Sequence, residues 1–337
     1  MTVPPKDLTE TPVPFAADVD ALSGVLRAVR LWGGVFLDAE FSAPWCVLSQ
    51  VTPDDCGPAV PRPERIIAFH YIVAGRLLIQ AGAEPPAEVR GGHMVMLPRN
   101  EEHLLASGPG LTPIPSHDLA METGNGGFVR LRYGAGGEKS HMVCGFVGTD
   151  ARSHPLLDAL PSILVLDLNG DSACEWISSS FRYAAGEHAA LRAGSAVVLA
   201  KLSELLFVEA VRRYIEKLPP ERGGWLAGLR DPVVGRALAL LHSQIARPWT
   251  ADELAREVCL SRSAFAERFT RFVGMPPMKY LAAWRMQLAA QRLRDGHRYV
   301  TQVAAEVGYD SEAAFTRAFK RKFSLSPARW RKDAAQQ

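Results

Sequence analysis

Four side chains in the first half of this 337-residue chain are of types that hold a transition metal: His70, His103, His141 and Cys144. Three imidazoles with one thiolate would complete a closed tetrahedral Zn²⁺ site. His141 and Cys144 stand three residues apart, which suits a strand end or a turn, because in a regular strand they would face opposite sides. One Zn²⁺ per chain, structural or sensory, is therefore the expected cofactor. Two other readings stay open. Cys144 could be a redox sensor partnered by Cys46 or Cys56, which needs exposure and a lowered pKa. Alternatively, the four are core histidines and a small buried thiol.

A second set of residues suits polyanion chemistry. Asp231 to the C-terminus carries 18 Lys and Arg against 10 Asp and Glu, a net +8, while the remainder carries 20 against 26, a net −6. Within that basic third, an offset of 50 residues pairs Ala255 with Ala305, Ser261 with Ser311, Ala264 with Ala314, Phe265 with Phe315 and Phe269 with Phe319. Arg271 pairs with Arg321, and Pro277 with Pro327. Two similar supersecondary units follow from such a repeat.

In each unit a short helix, a tight turn and a second helix are expected. Thr250 and Glu253 read as a capping box, Ser261 as the next cap, and Gly308 as the turn residue of the second unit. Phe265, Phe269 and Phe272, like Phe315, Phe319 and Phe323, form an apolar stripe at helical spacing. The opposite faces are polar: Arg262, Ser263, Glu267 and Arg271 in the first unit, and Glu312, Thr316, Arg317, Lys320 and Arg321 in the second. Polar residues early on such a helix reach base edges in the major groove of double-stranded DNA, with flanking Arg and Lys on phosphates. Met278 to Arg294 reads as a rigid helical spacer between the units.

The elements that position the first set are different in texture. Residues 17–32 begin as a helical pattern, after which short apolar runs such as Arg65–Val73, Arg76–Gln80 and His93–Leu97 alternate with Gly, Pro, Asn and Asp. Closely spaced strands with turn signals predict a β-barrel or sandwich, with Gly124–Gly127 and Gly134–Gly137 as hairpin turns. Residues 171–218 turn helical, and Leu199, Leu202, Leu206 and Val211 share an apolar face beside Leu205 and Val208. That width predicts packing on the barrel or on a second subunit, and a homodimer through Leu199 to Val211 is expected. The fold class expected is α+β: an N-terminal β-barrel with linker helices, then an all-α domain of two helix-turn-helix units joined by a long helix. The boundaries are a disordered tail at 1–16, a sensor domain at 17–170, a helical linker at 171–224 and a DNA-binding domain at 225–337.

Composition excludes several classes. No run approaches 18 uncharged apolar residues, so no membrane helix is expected, and residues 1–16 lack the form of a secretory signal. Five scattered cysteines without such a signal predict reduced thiols and a cytoplasmic protein. Gly-rich phosphate loops, His-Glu-x-x-His and Gly-x-Ser-x-Gly are missing.

The segment Ala304-Ala-Glu-Val-Gly-Tyr-Asp-Ser-Glu-Ala-Ala-Phe-Thr-Arg-Ala-Phe-Lys-Arg-Lys-Phe-Ser-Leu-Ser-Pro-Ala-Arg-Trp-Arg331 resembles the signature of AraC/XylS-family regulators. The resemblance spans about Asp231 to Arg331 and implies that Arg317 reads a base. Ala266 stands where a longer side chain often reads bases. His93-Met-Val-Met-Leu-Pro-Arg-Asn-Glu-Glu-His103 is similar to the second half of a cupin motif, and only His70 occupies the strand of the first half. The function expected is sequence-specific transcription regulation, with an N-terminal domain that senses a small molecule, a metal or a redox signal. Its partners would be an operator, an unknown effector and, in an activator, RNA polymerase. The competing reading is a cupin-like metalloenzyme with an accessory DNA-binding domain.

Overall fold

The computed structural model describes residues 20–27, 29–56, 62–123, 129–151, 154–169, 175–177, 179–180, 183, 194–219, 223–294 and 298–334. The tail at 1–16 and the turn at Gly124–Gly127 lie outside these residues, as does Cys174. Two compact units divide at Arg230/Asp231, and the described residues 20–25 group with the C-terminal one. The helical segment beyond residue 171 thus belongs with the sheets, as far as it is described.

Helix α1 covers Ala21–Arg27 and gives way to a strand at Leu31, so the helical pattern of 17–32 ends earlier than its periodicity suggests. Among the described residues twelve strands follow. They are β1 (Leu31–Ser42), β2 (Cys46–Ser49), β3 (Arg65–Ala74), β4 (Arg76–Ala81), β5 (Ala87–Arg90) and β6 (His93–Leu97). The others are β7 (His103–Ala106), β8 (Ile114–Pro115), β9 (Met121–Thr123), β10 (Val129–Gly134), β11 (Lys139–Thr149) and β12 (Leu164–Asp167). A one-turn helix α2 (Pro155–Asp158) precedes β12.

The strands form a seven-stranded sheet in the order β12-β6-β3-β11-β1-β10-β9 and a five-stranded sheet in the order β5-β4-β7-β2-β8. Alternate residues of each strand face the space between the sheets. Ile66, Ala68 and Ile72 from β3, Met142 and Phe146 from β11, Leu77 and Ile79 from β4 and Leu105 from β7 fill it. This is the two-sheet architecture that the short apolar runs predict.

Helix α3 (Ser195–Lys217) lies on the outer face of the seven-stranded sheet, against β1, β11 and β12. Leu199, Leu202, Leu206, Phe207, Ala210 and Val211 are buried there, while Leu205 is exposed. The helix lies close: a Cβ on Gly33 of β1 would stand 2.7 Å from Ser203 Cβ. The expectation of a subunit interface through Leu199, Leu202 and Leu206 is therefore corrected. A sheet covers that apolar width, and the sequence does not show which strands will be near. Helix α4 (Trp225–Arg230) completes this unit.

The C-terminal unit is helical. Asp231 caps α5 (Pro232–Ser243), accepting from the backbone N–H of Val233 and Val234. Then come α6 (Ala251–Glu257), α7 (Arg262–Val273), α8 (Pro277–Arg294), α9 (Val300–Glu306), α10 (Glu312–Phe323) and α11 (Pro327–Ala334). The capping box of Thr250 and Glu253 is present, and Ser261 and Ser311 each accept from the N–H three residues on.

The repeat is less regular than a single offset. The turn bonds Leu260 N–H to Ala255 C=O and Tyr309 N–H to Ala304 C=O match at 49, whereas the caps Ser261 and Ser311 match at 50. The second turn holds one extra residue, so Ala304, buried like Ala255, is the partner of Ala255 rather than the exposed Ala305.

Helix α8 serves two cores. Tyr280 and Trp284 pack with Phe269 and His242 of the first unit of the repeat. Met286, Ala289, Ala290 and Leu293 pack with Val303, Val307, Phe315 and Phe319 of the second.

Candidate nucleic-acid interface and a buried Cys-His-His chain

In α7 and α10 the phenylalanines face inward and the polar residues outward. Phe265, Phe269, Phe315 and Phe319 are fully buried, whereas Phe272 and Phe323, last in each stripe, are half-buried. Arg262, Ser263, Glu267 and Arg271 are exposed on α7, and Glu312, Arg317, Lys320 and Arg321 on α10, with Thr316 half-buried beside them. Of these, Arg262 has an intramolecular partner, its guanidinium lying 3.3 Å from Asp252 Oδ2. Arg271 lies over the Phe272 ring, 5.1 Å from its centroid, and Arg317, Lys320 and Arg321 are exposed along α10.

Among the arginines of this unit that turn away from that face, Arg268 and Arg285 bind most extensively within the unit, and neither is singled out by the sequence. Arg268 on α7 turns back to Asp231, with Nη2 2.7 Å from Oδ2 and Nε 3.1 Å from both carboxylate oxygens. Burial raises the Asp231 pKa, but the Arg268 guanidinium and the Val233 and Val234 N–H groups outweigh it and hold the carboxyl below its ordinary value. Arg285 on α8 donates to three backbone carbonyls, those of Ile245, Arg247 and Gly308. The available signals were Asp231 directly before Pro232, a capping pattern, and one arginine among the apolar positions of α8.

The metal-type residues come together in part. Cys144 on β11 is the direct register partner of His70 on β3, and both face the space between the sheets. His103, at the start of β7, faces it from the other sheet. His70 Nδ1 lies 3.0 Å from Cys144 Sγ, and His70 Nε2 lies 2.8 Å from His103 Nε2. His103 Nδ1 is 3.0 Å from the Glu101 carbonyl. All three side chains are at most 3% exposed.

The proton positions follow from one end. A carbonyl only accepts, so His103 Nδ1 carries a hydrogen and, in the neutral ring, Nε2 accepts. His70 must then donate through Nε2 and accept through Nδ1, and the Cys144 sulfhydryl donates to it. The chain Cys144 S–H → His70 → His103 → Glu101 C=O is thus neutral throughout and has one direction. Burial keeps it neutral. Desolvation, with His103 as neighbour, pushes the His70 pKa well down. Desolvation also lowers that of His103 against the Glu101 bond, and it raises the Cys144 thiol, with Asp38 adding to the effect.

His141 does not join them. Three residues before Cys144 in the same regular stretch of β11, it takes the opposite face of the sheet, and the ring pairs with Asp38, Nε2 to Oδ1 at 2.5 Å. The Asp38 hydrogen bond, outweighing partial burial, raises its pKa and favours the imidazolium. Cys144 and His103 sit on opposite nitrogens of the His70 ring and cannot meet one ion there. Among the described residues no group of three or more His, Cys, Asp or Glu converges as a metal site. The four residues as placed do not fit the closed Zn²⁺ site expected from their types. The partners weighed for redox chemistry are equally closed. Cys46 and Cys56 are buried free thiols; desolvation raises the first, and desolvation with Asp55 and Asp54 pushes the second up to about 12. No described helix is long and apolar enough to cross a membrane.

Comparison with known proteins bears on both units. A cupin family model matches residues 20–216, and a helix-turn-helix domain model matches residues 254–333. A putative AraC-like transcription regulator of Streptomyces lividans is 32% identical over 269 residues, covering 80% of this chain and 87% of that protein. The HTH-type transcriptional regulator AlkR of Acinetobacter baylyi is 36% identical over 181 residues, 53% of this chain and 59% of its own length. Among solved structures, the DNA-binding domain of AdpA in complex with a target DNA is 31% identical, covering 31% of this chain and 92% of that one with a TM-score of 0.29.

Proposed function

Because the chain belongs to the AraC-like transcription regulators, we propose that it reads its operator through α7 and α10 and that its cupin unit is the sensor. The observation that carries the first part is the sidedness of both helices, with four buried phenylalanines behind and a row of exposed polar residues in front. In this reading Arg317 recognises a base, while Lys320, Arg321 and Arg271 neutralise phosphates. Arg262, Ser263, Glu267, Glu312 and Thr316 complete the two faces. Arg317→Ala is expected to cost about 1–3 kcal/mol on the specific site and to relax preference at one base pair. Lys320→Ala is expected to weaken all duplexes alike and to reduce the salt slope by about one unit. Titration of labelled duplexes at several salt concentrations separates the two, and unaltered discrimination by Arg317→Ala refutes the assignment.

In the second part, the responsive element is the Cys144–His70–His103 chain. Its support is that the His70–His103 bond joins the two sheets and that the three protonation states are interlocked. Any signal that removes the sulfhydryl hydrogen or parts the sheets breaks that order. Cys144→Ser keeps a donor to His70, and Cys144→Ala removes it. A reporter driven by the selected operator should read like wild type with Ser and be shifted, without inducer, with Ala. Identical output and identical operator affinity for wild type and Ala would rule the chain out as the responsive element. The regulatory names of the relatives favour a sensor over an enzyme.

A further inference from the structure

We propose that Arg285 is a positioning residue that fixes the distance and rotation between the two DNA-reading helices, and so sets the spacing of the two boxes in the operator. This rests on the reading that both α7 and α10 enter DNA.

The residue sits where α8 changes allegiance, between Trp284 of the first core and Met286 of the second. Its guanidinium is half-buried and forks to three carbonyls. Nε donates to Ile245 at 2.9 Å and Nη2 to Arg247 at 2.7 Å, both in the segment leading into α6. Nη1 donates to Gly308 at 3.0 Å, in the turn between α9 and α10. One planar group thus holds the approach to the first helix-turn-helix and the turn of the second in one frame. Hydrogen bonds from a charged donor are about twice as strong as neutral ones, and the rigid fork fixes direction as well as distance.

Gly308 shows how close the approach is. Its φ of +80° is open to glycine, and a Cβ there would stand 2.7 Å from both the Ala246 carbonyl and Arg285 Nη2. The turn is built to meet this guanidinium. A shorter or apolar side chain at 285 would leave three carbonyls without this donor and remove its bridge between the two helix-turn-helix units.

The test is selection of full-length protein on a pool of random duplexes, followed by affinity measurements on two-box duplexes with altered spacing. Wild type is expected to select two boxes at one spacing near a helical turn, about 10–10.5 base pairs. It should lose most of the two-box advantage, on the order of a hundredfold or more for a well-matched link, when one box is moved by three base pairs. Arg285→Met should select the same base preferences within each box over several spacings, and lose less than about fivefold on the same shift. An Arg285→Met protein with the wild-type spacing preference overturns the proposal. So does a loss that is equal at every spacing and on single-box duplexes, since that is the mark of general destabilisation. If Arg285→Met does not fold, Arg285→Lys, which keeps the charge but cannot fork to three carbonyls, gives the same two outcomes. A wild type that selects a single box overturns this proposal together with the reading by both helices.

Discussion

Removing the carboxylate of Asp231 should unfasten the first reading helix from the start of its domain, in two separable parts. The oxygen Oδ1 accepts from the backbone N–H of Val233 at 3.0 Å and of Val234 at 2.9 Å, which is the cap of α5. The same carboxylate binds the Arg268 guanidinium of α7. A lost N-cap costs about 0.5–2 kcal/mol. The ion pair adds less, because the Arg268 side chain is 37% exposed against 7% for Asp231, and solvent screening holds such pairs to roughly 0.2–1 kcal/mol. Asp231→Ala is thus expected to cost about 1–3 kcal/mol. Asp231→Asn keeps an accepting Oδ1 and should cost only the pair, about 0.2–1 kcal/mol. In a domain of this size each kcal/mol lowers the melting midpoint by about 4–8 °C. Far-UV circular dichroism of the full chain, weighted toward the helical unit, reads the difference. The pH dependence carries a sign. A carboxyl whose folded pKa lies below its ordinary 3.8 stabilises fully above that value, and this contribution is lost as pH falls through the folded pKa. Wild type and Asp231→Asn should therefore converge in acid and differ at neutrality. Equal costs for Asn and Ala would refute the division into cap and pair, and an Ala variant within 0.5 kcal/mol of wild type would refute both parts.

Two further outcomes follow from the same unit. Burial, opposed by a bond to the Ala21 carbonyl, pushes the His242 pKa down to about 4 from 6.5, so the folded ring is neutral; stability should be complete above about pH 6.5 and decline by up to about 3 kcal/mol toward pH 4. His242→Gln should flatten that decline in melts taken across the range, and an unchanged slope would place the acid sensitivity elsewhere. Phe319→Ala should cost about 3–5 kcal/mol because the ring is fully buried, and half-buried Phe272→Ala clearly less; equal losses in urea titrations would contradict the inward stripe.

The reading helices were legible in the sequence because their determinants are local. Caps, a 3.6-residue stripe and a repeat need no knowledge of distant neighbours. The offset misled only at the turn, where one inserted residue aligned Ala255 with Ala305 by identity instead of with Ala304 by role. The β unit yielded residue types but not their partners. His141 takes the face opposite Cys144 by plain alternation along β11, but the Asp38 that meets it there lies on a strand far away in sequence, and which strand lies opposite His103 depends on how two sheets close. Leu199, Leu202 and Leu206 were read correctly as an apolar face, yet what covers them is a sheet far away in sequence. Arg268 and Arg285 escaped because a charged residue on a helix looks solvated until a carboxylate or carbonyls are placed against it.

The division of α8 between two cores also bears on how the chain is made. The first half of this helix finds its partners among residues already synthesised, Phe269 and His242. Met286, Ala289, Ala290 and Leu293 have theirs on α9 and α10, which lie C-terminal to them. Until α9 and α10 have been made, that apolar flank has no partner to pack against. A message truncated after Arg294 would leave the flank exposed for good, so such fragments should be ready clients for chaperones and proteases.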